Sequence, residues 1–399
     1  MRPSDGFWGV GERIVLVSEA NRERLERTFP CQTHLAPGVR VIENRRPDCN
    51  LQVALLFDLA AEALRDSSLK PVAGMLLDHL LHRSCLVNTD PRSPASGLWG
   101  WANPGHRMDY WIDDNAWVAM ALVMLARRGR PELRDPGLAT ARALLRQAEF
   151  LLQHVREEGR DAPLPSEPVF GLRLNPHWMG LVTMALAHAS ASDPTMDCAG
   201  VVEEYYRQCL AGPAAWDSHS ISAARRYPWA VSEYAYLALT ASICGAHFRM
   251  PAVLDVARHA CDLLVREQSP LGHFRSEHYE TPAGEHLADL IYTQNWATLG
   301  LYHAARVLNS PAYEAACARS MDLLARIQDR SPEPWLKGCW RGLYDTQAGA
   351  WGGGDRVEGG QGSIYSGWTN APIALTFVLK MLGMSLVPKP SPTRHKEDE

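Results

Sequence analysis

Along most of the chain, apolar side chains recur every three to four positions, the period of an amphipathic helix. The strict alternation of a half-buried strand is almost absent. This pattern predicts helices at about 19–28, 50–66, 70–86, 113–128, 136–157, 176–190, 198–211, 228–246, 251–267, 287–308, 311–328 and 370–384. Short breaks such as Arg128-Gly129-Arg130-Pro131 and Asn309-Ser310-Pro311 join neighbours as antiparallel hairpins. Proline suits a helix start because the first turn has no intrahelical use for its missing N–H.

A second regularity overlies the first. Five helices begin at or just after a polar-aromatic cluster: Asp113-Asp114-Asn115-Ala116-Trp117, Asn175-Pro176-His177-Trp178, Tyr227-Pro228-Trp229, Tyr292-Thr293-Gln294-Asn295-Trp296 and Gly367-Trp368-Thr369-Asn370. With the helix near Asn50, these starts recur at intervals of roughly 50–80 residues, a spacing that indicates an internal repeat. Each cluster leads into a run of small and apolar residues, such as Ala116–Ala126 or Met179–Ala189, suited to crowding an inner ring. The helices between them, 136–157 and 251–267 among them, carry Arg and Glu on one face and suit an outer ring. The expected fold is therefore all-α, an (α/α)6 toroid spanning residues 1–386 as one domain, with 387–399 a disordered tail. An α-solenoid of hairpins is the alternative, but a solenoid gives no reason to place Trp and amides at successive inner-helix starts.

The loops add glycine before apolar or aromatic pairs, as in Ser96-Gly97-Leu98-Trp99, Leu271-Gly272-His273-Phe274 and Gly342-Leu343-Tyr344. The glycine-rich stretch from Gly349 to Gly362 lacks the Lys-Ser/Thr of a phosphate loop and reads as a flexible loop near the ring's mouth.

Composition narrows the class of function. The chain has 399 residues, is 46% hydrophobic and 21% charged, and carries a formal net charge of -5 with a pI near 6.3. That balance argues against a nucleic-acid or anionic-membrane surface. Nine scattered cysteines with no CxxC pair fit reduced, mostly buried thiols. No Cys/His cluster has metal-ligand spacing, and no motif implies a cofactor. The N-terminus offers no secretory core, and no apolar run reaches membrane-spanning length. The expectation is a cytoplasmic protein with no metal.

The strongest local signal is Asp109-Tyr110-Trp111-Ile112-Asp113-Asp114-Asn115-Ala116-Trp117. Helix capping accounts for one aspartate, whose carboxylate satisfies free N–H groups and complements the helix dipole. It does not account for three packed among Tyr and Trp. Paired carboxylates beside aromatic platforms suit glycosidic bond cleavage, in which one protonates the leaving oxygen and the other attacks the sugar or activates water. Burial near Trp111 and Trp117 would raise one pKa and supply the acid. Terpenoid synthases hold magnesium with acidic clusters, but the further spaced acids of such a cluster are missing here.

The segment Tyr110-Trp111-Ile112-Asp113-Asp114-Asn115-Ala116-Trp117 resembles the Asp-Asp segment of glycoside hydrolase family 76, the endo-α-1,6-mannanases. The likeness covers about ten residues; elsewhere the chain resembles six-hairpin glycosidase-like toroids in general. The resemblance implies an (α/α)6 fold, with Asp113 as nucleophile and Asp114 as acid/base.

Asn175, His177 and Trp178 form a second candidate cluster, in which His177 is either a helix-start histidine or a sugar-binding group or base. Tyr227, Trp229 and Glu233 form a third, Glu233 being either a buried functional acid or the partner of Arg225 or Arg226. Tyr292, Gln294, Asn295 and Trp296, with Trp368 and Asn370, supply amide and aromatic groups suited to sugar hydroxyls and ring faces. His286 stands in a loop-like context and carries less weight. Three readings follow. The first is a glycoside hydrolase acting through Asp113 and Asp114, with Asp109, Trp111, Asn115, Trp117 and the other clusters binding the carbohydrate. The second is a sugar epimerase or isomerase of the N-acylglucosamine 2-epimerase type using His177. The third is a toroid that binds glycans or proteins without catalysis.

Overall fold

The computed structural model describes residues 8–164, 169–213, 226–352 and 363–389. Among these, twelve α-helices follow the predicted series: α1 (Glu19–Thr28), α2 (Pro47–Ala63), α3 (Leu69–His82), α4 (Ile112–Arg127), α5 (Arg134–Glu158) and α6 (Leu181–Ser192), then α7 (Ala199–Leu210), α8 (Val231–His247), α9 (Pro251–Glu267), α10 (Gln294–Val307), α11 (Pro311–Ile327) and α12 (Ala371–Leu382). Proline opens α2, α9 and α11. No helix among the described residues is long and apolar enough to cross a membrane.

The even-numbered helices form the inner ring. Each packs on the next, from α2 through α4, α6, α8 and α10 to α12, and α12 closes back onto α2. Their burial is that of a ring enclosed on all sides: every residue of α4 from Ile112 to Leu125, and of α8 from Val231 to Gly245, is buried. Small side chains make the crowding possible. At Gly300 of α10 an added Cβ would lie 3.1 Å from the Ala235 carbonyl oxygen of α8. The odd-numbered helices α3, α5, α9 and α11 pack outside their inner partners, and α7 lies between α5 and α9. These bury one face and leave a charged one to water, as in α9, where Val253, Val256, Ala257, Ala260, Cys261 and Leu264 point inward. This is the (α/α)6 toroid that the sequence predicts.

The strands are where the structure departs from the sequence reading. Ten short strands occur among the described residues: β1 (Arg13–Leu16), β2 (Gln32–Ala36), β3 (Val39–Ile42), β4 (Tyr110–Trp111), β5 (Val169–Phe170), β6 (Arg275–Ser276), β7 (Gly284–Asp289), β8 (Leu343–Asp345), β9 (Ala350–Trp351) and β10 (Ile364–Tyr365). One antiparallel sheet has the order β10-β1-β3-β2, so Arg13 near the start of the chain pairs with Tyr365 just before the last inner helix. A second antiparallel sheet runs β6-β7-β8-β9, and β4 pairs with β5 in parallel. The predicted helix at 287–308 therefore starts only at Gln294, because β7 occupies Gly284–Asp289. At 176–180 and 366–370 wider π-type turns precede the regular helices. The predicted mouth loop falls mainly on 353–362, and most of the predicted tail on 390–399, both outside the described residues.

The lumen is filled rather than open. Trp117 of α4, Tyr236 of α8 and Trp296 of α10 meet inside the ring, with Trp296 centred 5.5 Å from Trp117 and 5.2 Å from Tyr236. Above this aromatic floor, at the end where the inner helices begin, lies the cavity. All nine cysteines are unpaired, and six of them are buried.

Candidate functional site

The cavity has a volume of about 360 Å³, the lower part of the range for small-molecule sites. Its walls are built from inner-helix starts. Arg46 caps α2, Asp113 and Asp114 occupy the first turn of α4, His177 and Trp178 lie in the turn entering α6, Tyr292 precedes α10, and Trp368 precedes α12. Converging helix N-termini favour negative charge, so the site's acids sit where backbone dipoles support them. Trp101, His106, Asp109, Trp111, Tyr279, Glu280, Ile291 and Tyr365 complete the lining.

Asp113 and Asp114 are both buried at the cavity but have different partners. The Arg46 guanidinium donates from Nη2 to Asp114 Oδ1 at 2.8 Å and grips Asp48 through Nε at 3.2 Å and Nη2 at 3.1 Å. Its Nη1 donates to Glu12 at 3.1 Å. Burial, then the neighbouring Asp48 and Asp113 carboxylates, push the Asp114 carboxyl well above its ordinary range, against the opposing pull of Arg46. Asp113 instead faces the imidazole of His177, with Nε2 3.3 Å from its Oδ2.

Burial opposes a charge on His177, but the hydrogen bond and charge of Asp113, with Glu233 and Glu280 further off, outweigh it and raise its pKa. Glu233, in the first turn of α8, fixes the turn that carries this histidine. It accepts from the Asn175 side-chain amide at 2.8 Å and from the His177 backbone N–H at 2.7 Å. Of the two arginines considered as its partners, Arg226 binds Glu267 and Glu285 instead, and Arg225 lies outside the described residues.

A second histidine adjoins the first. The His278 ring is centred 5.7 Å from that of His177 and stacks on Tyr292 at 3.8 Å. Burial, and then the proximity of His177, push its pKa well below the ordinary value. Tyr292 in turn donates its hydroxyl to Glu280. At the rim, His106 bonds Asp109 at 2.8 Å, and Trp111 stacks on Phe170 at 5.2 Å.

The residues singled out from the sequence thus divide by placement. Asp109, Trp111, Asp113, Asp114, His177, Trp178, Tyr292 and Trp368 line the cavity. The remaining ten do not. Asn115 bonds the backbone of Trp99 and Trp111, Gln294 that of Gly272 and Phe274, Asn295 that of Ile291 and Trp368, and Asn370 that of Trp340 and Tyr365. Trp117 and Trp296 form the floor, Trp229 is buried in the core, and Tyr227 bonds Glu267 on the outside. Asn175 and Glu233 hold the His177 turn from behind. His286 lies on β7, 3.7 Å from Asp345 and half exposed.

Arg46, Asp48, Trp101, His278, Tyr279 and Glu280 were not anticipated. Arg46-Pro47-Asp48 stands at the same repeat position as the other clusters, so the repeat itself pointed there. His278-Tyr279-Glu280 falls in irregular chain with no period to mark it.

No family model matches the chain, and no curated protein matches it in sequence. Solved structures do resemble it in three dimensions. A sugar epimerase from a ruminal bacterium superposes with a TM-score of 0.59 at 10% identity, over 86% of this chain and 89% of that one. A D-mannose isomerase gives 0.57 at 11% identity, over 84% and 87%. The unsaturated glucuronyl hydrolase of Bacillus sp. GL1, responsible for glycosaminoglycan degradation, gives 0.56 at 11% identity, over 86% and 88%. At such identities the likeness is one of fold: the chain shares the (α/α)6 toroid of these structures.

Proposed function

We propose that the protein is a carbohydrate-active enzyme that hydrolyses a glycosidic bond through Asp113 and Asp114. One observation carries the reading: two adjacent carboxylates share one cavity in opposite electrostatic settings. Asp114 is pushed toward the protonated form and Asp113 is held against an imidazole whose own pKa is raised. The raised Asp114 suits the acid, and the placement of Asp113 against the imidazole leaves it to the nucleophilic role. The resemblance to family 76 assigns the same roles.

In that scheme the Asp113 carboxylate forms a bond to the anomeric carbon as the glycosidic C–O bond breaks. The electron pair leaves with the oxygen, which takes the Asp114 proton. Water then attacks the glycosyl ester, Asp114 recovers a proton from it, and Asp113 departs as carboxylate. Trp101, Trp111, Trp178 and Trp368 offer ring faces for the sugar.

The test is turnover of aryl glycosides and α-1,6-linked mannooligosaccharides by the wild type, Asp113→Asn and Asp114→Asn. Both variants should lose on the order of 10³-fold or more in kcat on oligosaccharides. Asp114→Asn should lose far less on aryl glycosides whose acidic phenol leaves without protonation. Undiminished turnover of the oligosaccharides in either variant would sink the assignment.

A second reading rests on the histidine pair. His177 and His278 adjoin each other with pKa values driven in opposite directions, which suits proton removal and return at a sugar carbon. Incorporation of solvent deuterium into an unhydrolysed reducing sugar, abolished by His177→Ala and untouched by Asp114→Asn, would select it.

A further inference from the structure

Among the described residues, the carboxylates around Arg46 outnumber the guanidiniums that bind them. Arg46 donates to both oxygens of Asp48, to Asp114 and to Glu12, and one nitrogen, Nη2, serves Asp48 and Asp114 together. The same oxygen of Glu12 accepts from Arg13 at 2.5 Å. The side chains of all five groups are at most 9% exposed. Among the described residues, two guanidiniums therefore face three carboxylates in a largely buried cluster that reaches the cavity at Arg46 and Asp114, an excess of one negative charge. A buried cluster with an uncompensated charge lowers its free energy by taking up a proton.

The geometry indicates where that proton resides. Glu12 lies between both guanidiniums, and although burial opposes its charge, Arg13 and Arg46 together hold its pKa below the ordinary value. Asp48 and Asp114 instead compete for one nitrogen. We propose that Asp48, acting through Arg46, keeps one proton on the Asp48–Asp114 pair and so is the positioning residue that makes Asp114 the proton donor of the site. Asp48 is fully buried and does not line the cavity, whereas Asp114 does, so only Asp114 can pass the proton to a ligand. The assignment of Asp114 as donor rests on the hydrolytic reading; the count of protons does not.

The test is a pH titration of the full chain labelled with carboxyl-¹³C aspartate, followed by NMR. In the wild type one carboxyl signal of the pair should titrate well above the ordinary aspartate value of about 3.9. Asp289, which burial pushes up to about 6, is assigned separately with Asp289→Asn. In Asp48→Asn the charges balance, and the late signal should fall back by at least about one pH unit. Asp48→Glu, which restores the charge, should retain it. The high-pH limb of the hydrolysis profile should shift acidward in Asp48→Asn by the same amount, about a tenfold loss at a fixed pH on that limb. A merely structural role would lower turnover or melting temperature without moving the limb. A late signal unchanged in Asp48→Asn, or absent from the wild type, overturns the proposal, and the wild-type result stands even where the variant does not fold. Absence of any hydrolysis would defeat the functional reading, while the titration would still decide the proton count.

Discussion

His177 touches an acid at each end, its ring facing Asp113 and its backbone N–H donating to Glu233. Glu233 accepts at both oxygens, and glutamine there would turn an amide N–H toward one of two existing donors, Asn175 Nδ2 or the His177 N–H. Glu233→Gln should therefore destabilise the protein by about 1–3 kcal/mol, the cost of leaving a buried donor unmatched. It should also loosen the turn at 176–180. Chemical denaturation checks the first effect and hydrogen exchange at the His177 amide the second; unaltered exchange would show that Glu233 does not anchor the turn. At this scale the sequence was legible where chemistry is dense and adjacent. Asp113-Asp114 stood out because capping explains one acid and does not explain three, Asp109 included, packed among Tyr and Trp. Glu233 was recognisable as a buried acid, but its partner was not, because Asn175 and His177 lie more than fifty residues away and are joined to it only by folding. The backbone-bonded amides mislead for a related reason: Asn295 at a helix start looks the same in sequence whether it faces a sugar or the neighbouring Trp368 carbonyl.

The inner helices must close into a ring, and the closure depends on a residue without a side chain. Gly367 lies in the turn that enters α12, against the first turn of α2, and an added Cβ would fall 2.6 Å from Cys49 Sγ and 2.7 Å from its Cα. The second of these is backbone, which cannot rotate away. Gly367→Ala should therefore cost about 1–3 kcal/mol through overpacking. Gly74→Ala, in outer helix α3 with nothing nearer than Arg130 at 3.8 Å, should be neutral or stabilise by up to about 1 kcal/mol. Urea unfolding of the two variants separates a packing effect from helix propensity; equal stabilities would remove the closure argument. The helices themselves were readable because each spans several turns and repeats its apolar face. The strands were not, since elements of two to six residues are too brief for a period of two to stand out, and their pairing is long-range. Arg13 with Tyr365 joins positions at opposite ends of the sequence.

The two ends of the ring are built from different groups. Acids gather at the cavity end, whereas the far end is closed by residues 383–389 lying across the finishing turns of α4, α6, α8 and α10. Arg127 donates to the Lys389 carbonyl, Tyr302 to that of Met384, and Arg306 to that of Gly383. Beneath this segment, burial and then neighbouring cations lower the pKa values of His188 and His303 to about 3. An unfolded chain protonates both near 6.5. As pH falls below that value, the unfolded state takes up protons the folded state refuses, so stability should decline between 6.5 and about 3 by roughly 1.4 kcal/mol per pH unit for each histidine. His177, whose folded pKa is raised, acts in the opposite direction: its contribution is complete below about 6.5 and is lost only as pH rises through the raised value. Acid sensitivity thus arises at the far end of the ring through His188 and His303, and His278 beside the cavity, whose pKa is also pushed well down by burial, adds to it. His303→Gln, in which an amide can still reach Ser385 Oγ, the present partner of Nδ1 at 3.1 Å, removes one of the two titrations. Unfolding free energies measured from pH 7 to 5 should fall less steeply in this variant than in the wild type, by about 1 kcal/mol per pH unit averaged over that range, since uptake begins only near 6.5. Parallel curves would place the acid-labile groups elsewhere in the molecule.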